Sequence, residues 1–187
     1  MQGVRSSTES TTESSARTRT RSAVLLGAMA TLRERPAASL GEIAAGGGIS
    51  RSTLHRYYPD RRQLLAAIEE LVEAEYEAAV EAAHVDDGTG LEAFARLVDE
   101  LFRRLDVLAW WLRQDAEDDE ELDSRIGALI ARGQADGSIA AGLSGAWVEG
   151  LVWAGLWAAN DLVVAGVHSL RDVRSMCRQS LVRALTA

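Results

Sequence analysis

Residues 39–65, SLGEIAAGGGISRSTLHRYYPDRRQLL, constrain this chain more than any other stretch. The pattern is two short helices joined by a glycine turn, followed by the start of a longer third helix. Ser39 and Glu42 stand at capping-box spacing, so Ser39 opens the first helix. Ile43 and Ala44 face inward, and the small Ala44 lets a second helix cross close by. Gly46, Gly47 and Gly48 supply the turn, where a positive φ costs glycine little. Ser50 caps the second helix, Arg51 to Tyr58, with Leu54 as its buried anchor. Arg51, Ser52, Thr53, His55, Arg56 and Tyr57 make the rest of that helix polar, hydrogen-bonding or cationic. One apolar anchor under a polar outer face suits a DNA major groove.

The remaining sequence predicts an all-α chain of about nine helices. Alanine and leucine abound, β-branched runs are scarce, and the two prolines, Pro36 and Pro59, fall between helical segments. A first helix is expected from about Thr18 to Glu34, with Val24, Leu25, Ala28, Met29 and Leu32 on one face. Asp60 and Gln63 open a long helix from about Arg61 to Ala83, with Ile68, Val72 and Tyr76 in its buried stripe. Thr89 and Glu92 box another helix, and Val107 to Leu112 form a further helical piece. The acidic run Asp115 to Asp123 reads as a loop and a helix start, where carboxylates are favoured. A helix follows to about Ala135. Ser144 then opens one over Gly145 to Ala165, and Ser169 opens the last, to about Ala184. Residues 1–16 are rich in Ser, Thr and Glu without an apolar period and read as a disordered tail. The domains expected are therefore the tail over 1–16, a helix-turn-helix unit over 17–62 and a helical domain over 63–187.

Charge supports that division. Through Ala66 there are ten Arg against five Asp and Glu, a net of +5. From Ala67 onward there are ten Arg against 23 Asp and Glu, a net of −13, and the two parts together give −8. A cationic first third ahead of an acidic remainder is what a chain needs if only its N-terminal part touches phosphate. Arg17, Arg19 and Arg21, interleaved with Thr18, Thr20 and Ser22, form an arm able to reach a phosphate backbone or minor groove; a solvated tail is the alternative.

Catalysis is not expected. His55, His84 and His168 are scattered without metal-ligand spacing, and no phosphate-cradling glycine loop follows a strand. The acidic run lacks a calcium-loop pattern, so neither cofactor nor metal is expected. Cys177 is the one cysteine, which excludes an intrachain disulfide and fits a reducing cytoplasm. No charged start leads into an apolar signal, and the most apolar stretch, Ala146 to Val167, is interrupted by Glu149, Asn160 and Asp161, so no membrane span is expected.

With Ile43-Ala44, Gly48, Ser50, Thr53-Leu54 and Tyr57-Tyr58 in place before a new helix, residues 18–68 resemble the DNA-binding segment of tetracycline-repressor (TetR) family regulators. His55, Ser52 and Arg61 stand where the family commonly has Tyr, Gly and Lys, and Arg35-Pro36-Ala37 replaces its glycine-aromatic turn. The resemblance implies a homodimer that sets two recognition helices in successive major grooves of a near-palindromic operator. It implies phosphate contacts by Thr53, Tyr57 and Arg61, and Arg51, Ser52, His55 and Arg56 are the candidates for base edges. Ser39 and Ser50 complete the expected DNA-binding set.

The resemblance also implies that the helices after residue 60 form a domain that dimerises and responds to a small-molecule effector. All five Trp fall there. Trp153 and Trp157 are four apart on one helix, with Glu149 and Asn160 close to their side. Aromatic rings beside a carboxylate suit a flat apolar or cationic molecule. Trp110, Trp111, Trp147, Trp153, Trp157, Glu149 and Asn160, with Phe94, Leu97 and Leu101 opposite, are the expected ligand-binding residues; for each Trp the alternative is core or dimer-interface packing. The last two helices are the expected dimer face, with Gly150, Ala154 and Ala158 allowing close approach and Leu170, Val173, Cys177, Leu181 and Ala184 as the final helix's apolar stripe. The expected function is a ligand-responsive regulator, most simply a repressor released from its operator. The rival is a helical ligand-binding or interaction module without operator binding.

Overall fold

The computed structural model describes residues 5–113 and 124–186, with side chains at 20–112 and 125–186; Asp115 to Asp123 and residues 1–4 lie outside the described residues. Among the described residues there are nine α-helices and no strand. They are α1 (Arg5–Glu34), α2 (Leu40–Gly46), α3 (Arg51–Tyr57), α4 (Arg61–Ala82), α5 (Gly90–Arg103), α6 (Leu105–Leu108), α7 (Ser124–Ala135), α8 (Gly145–Val164) and α9 (Leu170–Thr186), with a 3-10 turn at Trp111–Arg113. α1 starts at Arg5 rather than near Thr18, so most of the stretch read as a disordered tail is helical. Residues 5–16 hold no Pro or Gly, and adding residues to a helix already formed costs little. No helix among the described residues is long and apolar enough to cross a membrane.

The chain divides into two compact units, Met1–Leu71 and Val72–Ala187. The division falls inside α4 rather than at residue 62, because the first turns of α4 belong to the N-terminal unit. Leu64 and Ile68 are fully buried, and Glu70 pairs with Arg21 of α1 at 3.6 Å.

In the first unit, the capping box at Ser39 forms as its spacing predicts: the Ser39 amide donates to Glu42 Oε2 at 2.8 Å and the Ser39 hydroxyl accepts from the Glu42 amide at 3.4 Å. The three turn glycines have different duties. Only Gly48 takes a positive φ, of 64°. Gly47 has φ −80° and lies where α1 passes: a Cβ on it would come 3.1 Å from the Gly27 carbonyl carbon. Gly46 is pressed against Thr31, whose hydroxyl turns back to the Gly27 carbonyl at 3.1 Å.

In the second unit α5 packs against α7 and α9, and α8 packs against the same two helices. Glycine meets glycine where α5 begins: a Cβ on Gly90 would run into the backbone of Gly133. The N-terminus of α5 is closed from outside its own helix, since the Gly90 amide donates to Asp136 Oδ2 at 2.8 Å and the Leu91 amide to Ser138 Oγ at 3.1 Å. Arg96 fastens the end of α4 by donating to the carbonyls of Ala83, His84 and Asp87 at 2.8, 2.9 and 2.6 Å. Asp99 of α5 takes Arg174 and Arg178 of α9 at 3.0 and 3.2 Å. On α9 the buried residues are Val173, Leu181 and Leu185. Leu170 and Ala184, expected in the apolar stripe of the dimer face, are exposed near the ends of that helix.

Candidate nucleic-acid interface and effector site

α3 is a short helix with its polarity fixed by one contact. Leu54 is fully buried, while Arg51, Ser52, His55 and Arg56 are exposed and Thr53 and Tyr57 half-buried. Ser50 caps it by accepting from the Thr53 amide at 3.0 Å, and its hydroxyl also donates to Thr53 Oγ1 at 2.7 Å. Both Ser39 and Ser50 are therefore committed to capping, which fixes where each helix starts. The Arg56 guanidinium lies 5.2 Å from the centre of the Tyr57 ring, within cation–π range. Tyr58, buried, caps the C-terminus of α3 rather than extending it.

Three of the arginines expected to face DNA also make contacts within the unit. Arg21 donates from Nε to the Tyr58 hydroxyl at 3.1 Å and pairs with Glu70, which draws it onto the body of the unit. Arg61 forks onto the carbonyls of Pro36 and Ala38, both at 2.5 Å. Arg51 rests over α2, where Gly41 leaves it room: a Cβ there would collide with the guanidinium. The side chains of Arg17 and Arg19 lie outside the described ones.

Of the expected effector residues, the structure brings Trp111 and Trp153 together and joins them to Tyr76 of α4. The ring centres are 5.7 Å apart for Tyr76–Trp111, 6.1 Å for Tyr76–Trp153 and 6.2 Å for Trp111–Trp153. Arg125 of α7 sits 5.2 Å over the Tyr76 ring and donates two hydrogen bonds to Glu77, at 2.6 and 2.8 Å. Glu149, four residues before Trp153 on α8, is a carboxylate only 4% exposed. Trp110 and Asn160 are half-buried, and Phe94, Leu97 and Leu101 are core residues of α5. Tyr76 was not among the expected effector residues because it sits in an apolar helical stripe; its phenol was the available signal.

Trp147 and Trp157 do not join the cluster. They are 61% and 56% exposed, and Val164, Val167, Leu170 and Met176 are likewise exposed on α8, α9 and their connection. The reason is angular. Val148, Val152, Leu156 and Ala159 mark the buried line of α8, so Trp153 lies at its margin. Trp157, turned about 40° further from that line, passes into solvent. Gly150, Ala154 and Ala158 are exposed on that outer side too. Cys177 faces the other way, against Gly155, and burial pushes its thiol up to about 11.

A shallow depression of about 450 Å³ is lined by Glu77, Val80, Glu81, His84, Val85, Asp86 and Asp87; none of the clustered rings borders it. Among the described residues no group of three or more His, Cys, Asp or Glu is placed to hold a metal ion.

No family model matches the chain. Over 87 residues it is 47% identical to the HTH-type transcriptional repressor LfrR of Mycolicibacterium smegmatis, covering 46% of each chain. Over 81 residues it is 31% identical to the HTH-type transcriptional regulator NfxB of Pseudomonas aeruginosa, covering 43% of each. These matches span about half the length of the curated relatives. The structural likeness is longer: the crystal structure of LfrR from Mycobacterium smegmatis, a TetR-like transcriptional regulator in complex with proflavine, matches with a TM-score of 0.64 at 30% identity, over 89% of this chain and 96% of that one.

Proposed function

The chain belongs to the TetR family of transcriptional regulators, and from that premise we propose that it is a homodimeric, cytoplasmic repressor released from a near-palindromic operator by a flat aromatic cation. It is a regulator and not an enzyme. The observation that carries the DNA-binding reading is α3 itself, capped by Ser50 and anchored only by Leu54, with Arg51, Ser52, His55 and Arg56 left exposed. An exposed Arg can bind guanine O6 and N7 in bidentate fashion. Two copies related by a two-fold axis then read two half-sites. The exposed apolar side of α8 and α9, with Trp147 and Trp157 flanking the small Gly150, Ala154 and Ala158, supports a second copy as its cover.

The effector class follows from the ring cluster. Tyr76, Trp111 and Trp153 offer aromatic faces, one of which already takes the Arg125 guanidinium, and Glu149 is a buried carboxylate on the same helix as Trp153. A planar cation gains from both kinds of partner. The relative LfrR is known in complex with proflavine, a planar aromatic molecule of this class. α4 is the natural transmitter, since Arg61 stands at its start and Tyr76 lies further along it. An effector lowers operator affinity only by as much as it prefers the dimer with misaligned recognition helices.

The test is selection of bound DNA from a random duplex pool, repeated with proflavine. A two-fold symmetric consensus that disappears at saturating proflavine is expected. No enriched consensus would overturn the operator reading, and a consensus indifferent to proflavine would overturn the effector class.

A further inference from the structure

We propose that Arg61 is a positioning residue for the recognition helix, acting through α2 on Arg51, and not one of the phosphate contacts. This rests on the operator reading above. The two terminal nitrogens of its guanidinium donate to the carbonyls of Ala38 and Pro36, residues more than twenty positions earlier in the chain. That end-on edge is one of the two a guanidinium can offer a phosphate in bidentate fashion, and here it is already engaged. The two carbonyls belong to the turn that leads from α1 into the Ser39 cap of α2. Arg61 thus ties the first residue of α4 to the place where α2 is set.

The effect reaches α3 by contact. α2 presents Gly41 to the Arg51 guanidinium, and the missing Cβ leaves room for it to lie there. Arg51 is the first residue of the recognition helix and one of its exposed cations. A shift of the α1–α2 turn therefore moves the surface on which Arg51 rests. The brace also needs arginine in particular. Its planar fork reaches two carbonyls at once, whereas a lysine ammonium keeps the charge as a single flexible point. Charge and geometry can accordingly be separated by substitution.

The experiment compares wild type, Arg61→Lys and Arg61→Met in the full-length protein. Hydrogen exchange is followed over residues 35–47, and affinity for the duplex enriched by selection is measured across a salt series. In both variants the brace predicts exchange over 35–47 about tenfold faster, and affinity lower by about tenfold with an unchanged slope of log affinity against log salt. The proposal is overturned if Arg61→Lys binds as wild type, or if Arg61→Met flattens the slope by about 0.9, the signature of one lost phosphate contact. It is equally overturned if exchange over 35–47 is unchanged in both. Should Arg61→Met fail to fold, Arg61→Lys keeps the charge and stem and carries the test alone. If no duplex is enriched, the operator reading fails, and the exchange measurement still decides the brace.

Discussion

Replacing Trp157 by alanine should weaken self-association without disturbing the fold of the protomer. The side chain is 56% exposed on the outer side of α8, so little of it supports the protomer's own core. A tryptophan offers up to about 250 Å², of which roughly 140 Å² is then free to be covered by a second copy. At ~25 cal/mol per Å² that is about 3.5 kcal/mol per protomer, and a two-fold interface doubles it because each copy contributes the same residue. Halving the sum for incomplete coverage and for the retained β-carbon leaves about 3.5 kcal/mol, or roughly a few hundredfold in the dissociation constant. Sedimentation equilibrium across a dilution series measures this directly, with far-UV circular dichroism reporting the helices. A dissociation constant within about threefold of wild type, with helix content intact, would refute the assignment of this face to a second copy.

Three further outcomes follow from the second unit. Gly90→Ala forces a Cβ into the backbone of Gly133 and within 2.8 Å of the Leu129 carbonyl, and backbone yields less readily than a side chain. The expected cost is about 2 kcal/mol, or roughly 4–8 °C in thermal midpoint, and an unchanged midpoint would contradict the close approach of α5 and α7. The Ser138 side chain, then the Gly90 amide, hold the Asp136 carboxyl below its ordinary range. A depressed pKa gives stability that is present above the ordinary carboxylate range and lost as pH falls through the folded value. The wild-type midpoint should therefore drop more steeply below about pH 4 than that of Asp136→Asn; parallel curves would remove Asp136 from the acid response. Burial pushes the Cys177 thiol from 9.0 to about 11. Its alkylation at pH 8 should run about a hundredfold slower than in the urea-unfolded chain, and equal rates would show an accessible thiolate.

The DNA-reading unit was legible in the sequence because its determinants are local. A capping box is complete within four residues, and Ser39 with Glu42 and Thr89 with Glu92 form as their spacing predicts, while Ser50 caps α3 through the Thr53 amide. The glycine turn was legible in place but not in detail. Positive φ explains only Gly48, while Gly46 and Gly47 answer to α1, a partner the local sequence does not name. The arginines were the least legible. Charge counting marks the first third as cationic, but charge has no direction. Arg21 and Arg61 turn toward Tyr58, Glu70, Pro36 and Ala38, and each of those pairings depends on how distant segments pack.

The tryptophans make the same point with opposite consequences for function. Spacing puts Trp153 and Trp157 on one side of α8, which is correct to within about 40°. That small angle separates a ring in contact with Tyr76 and Trp111 from one more than half exposed. The buried line of α8 is set by α7 and α9, and until those helices are placed the sequence cannot say which side of the line a residue takes. On the reading proposed above, Trp153 joins the effector cluster, and Trp157 joins the face offered to a second copy. One helix can then serve both roles, so a ligand that rotates α8 at Trp153 also turns the surface carrying Trp157. A double-mutant cycle on the two tryptophans, reading proflavine affinity and dimer dissociation together, should give a coupling energy of about 0.5 kcal/mol or more; strict additivity would mean the two faces act independently.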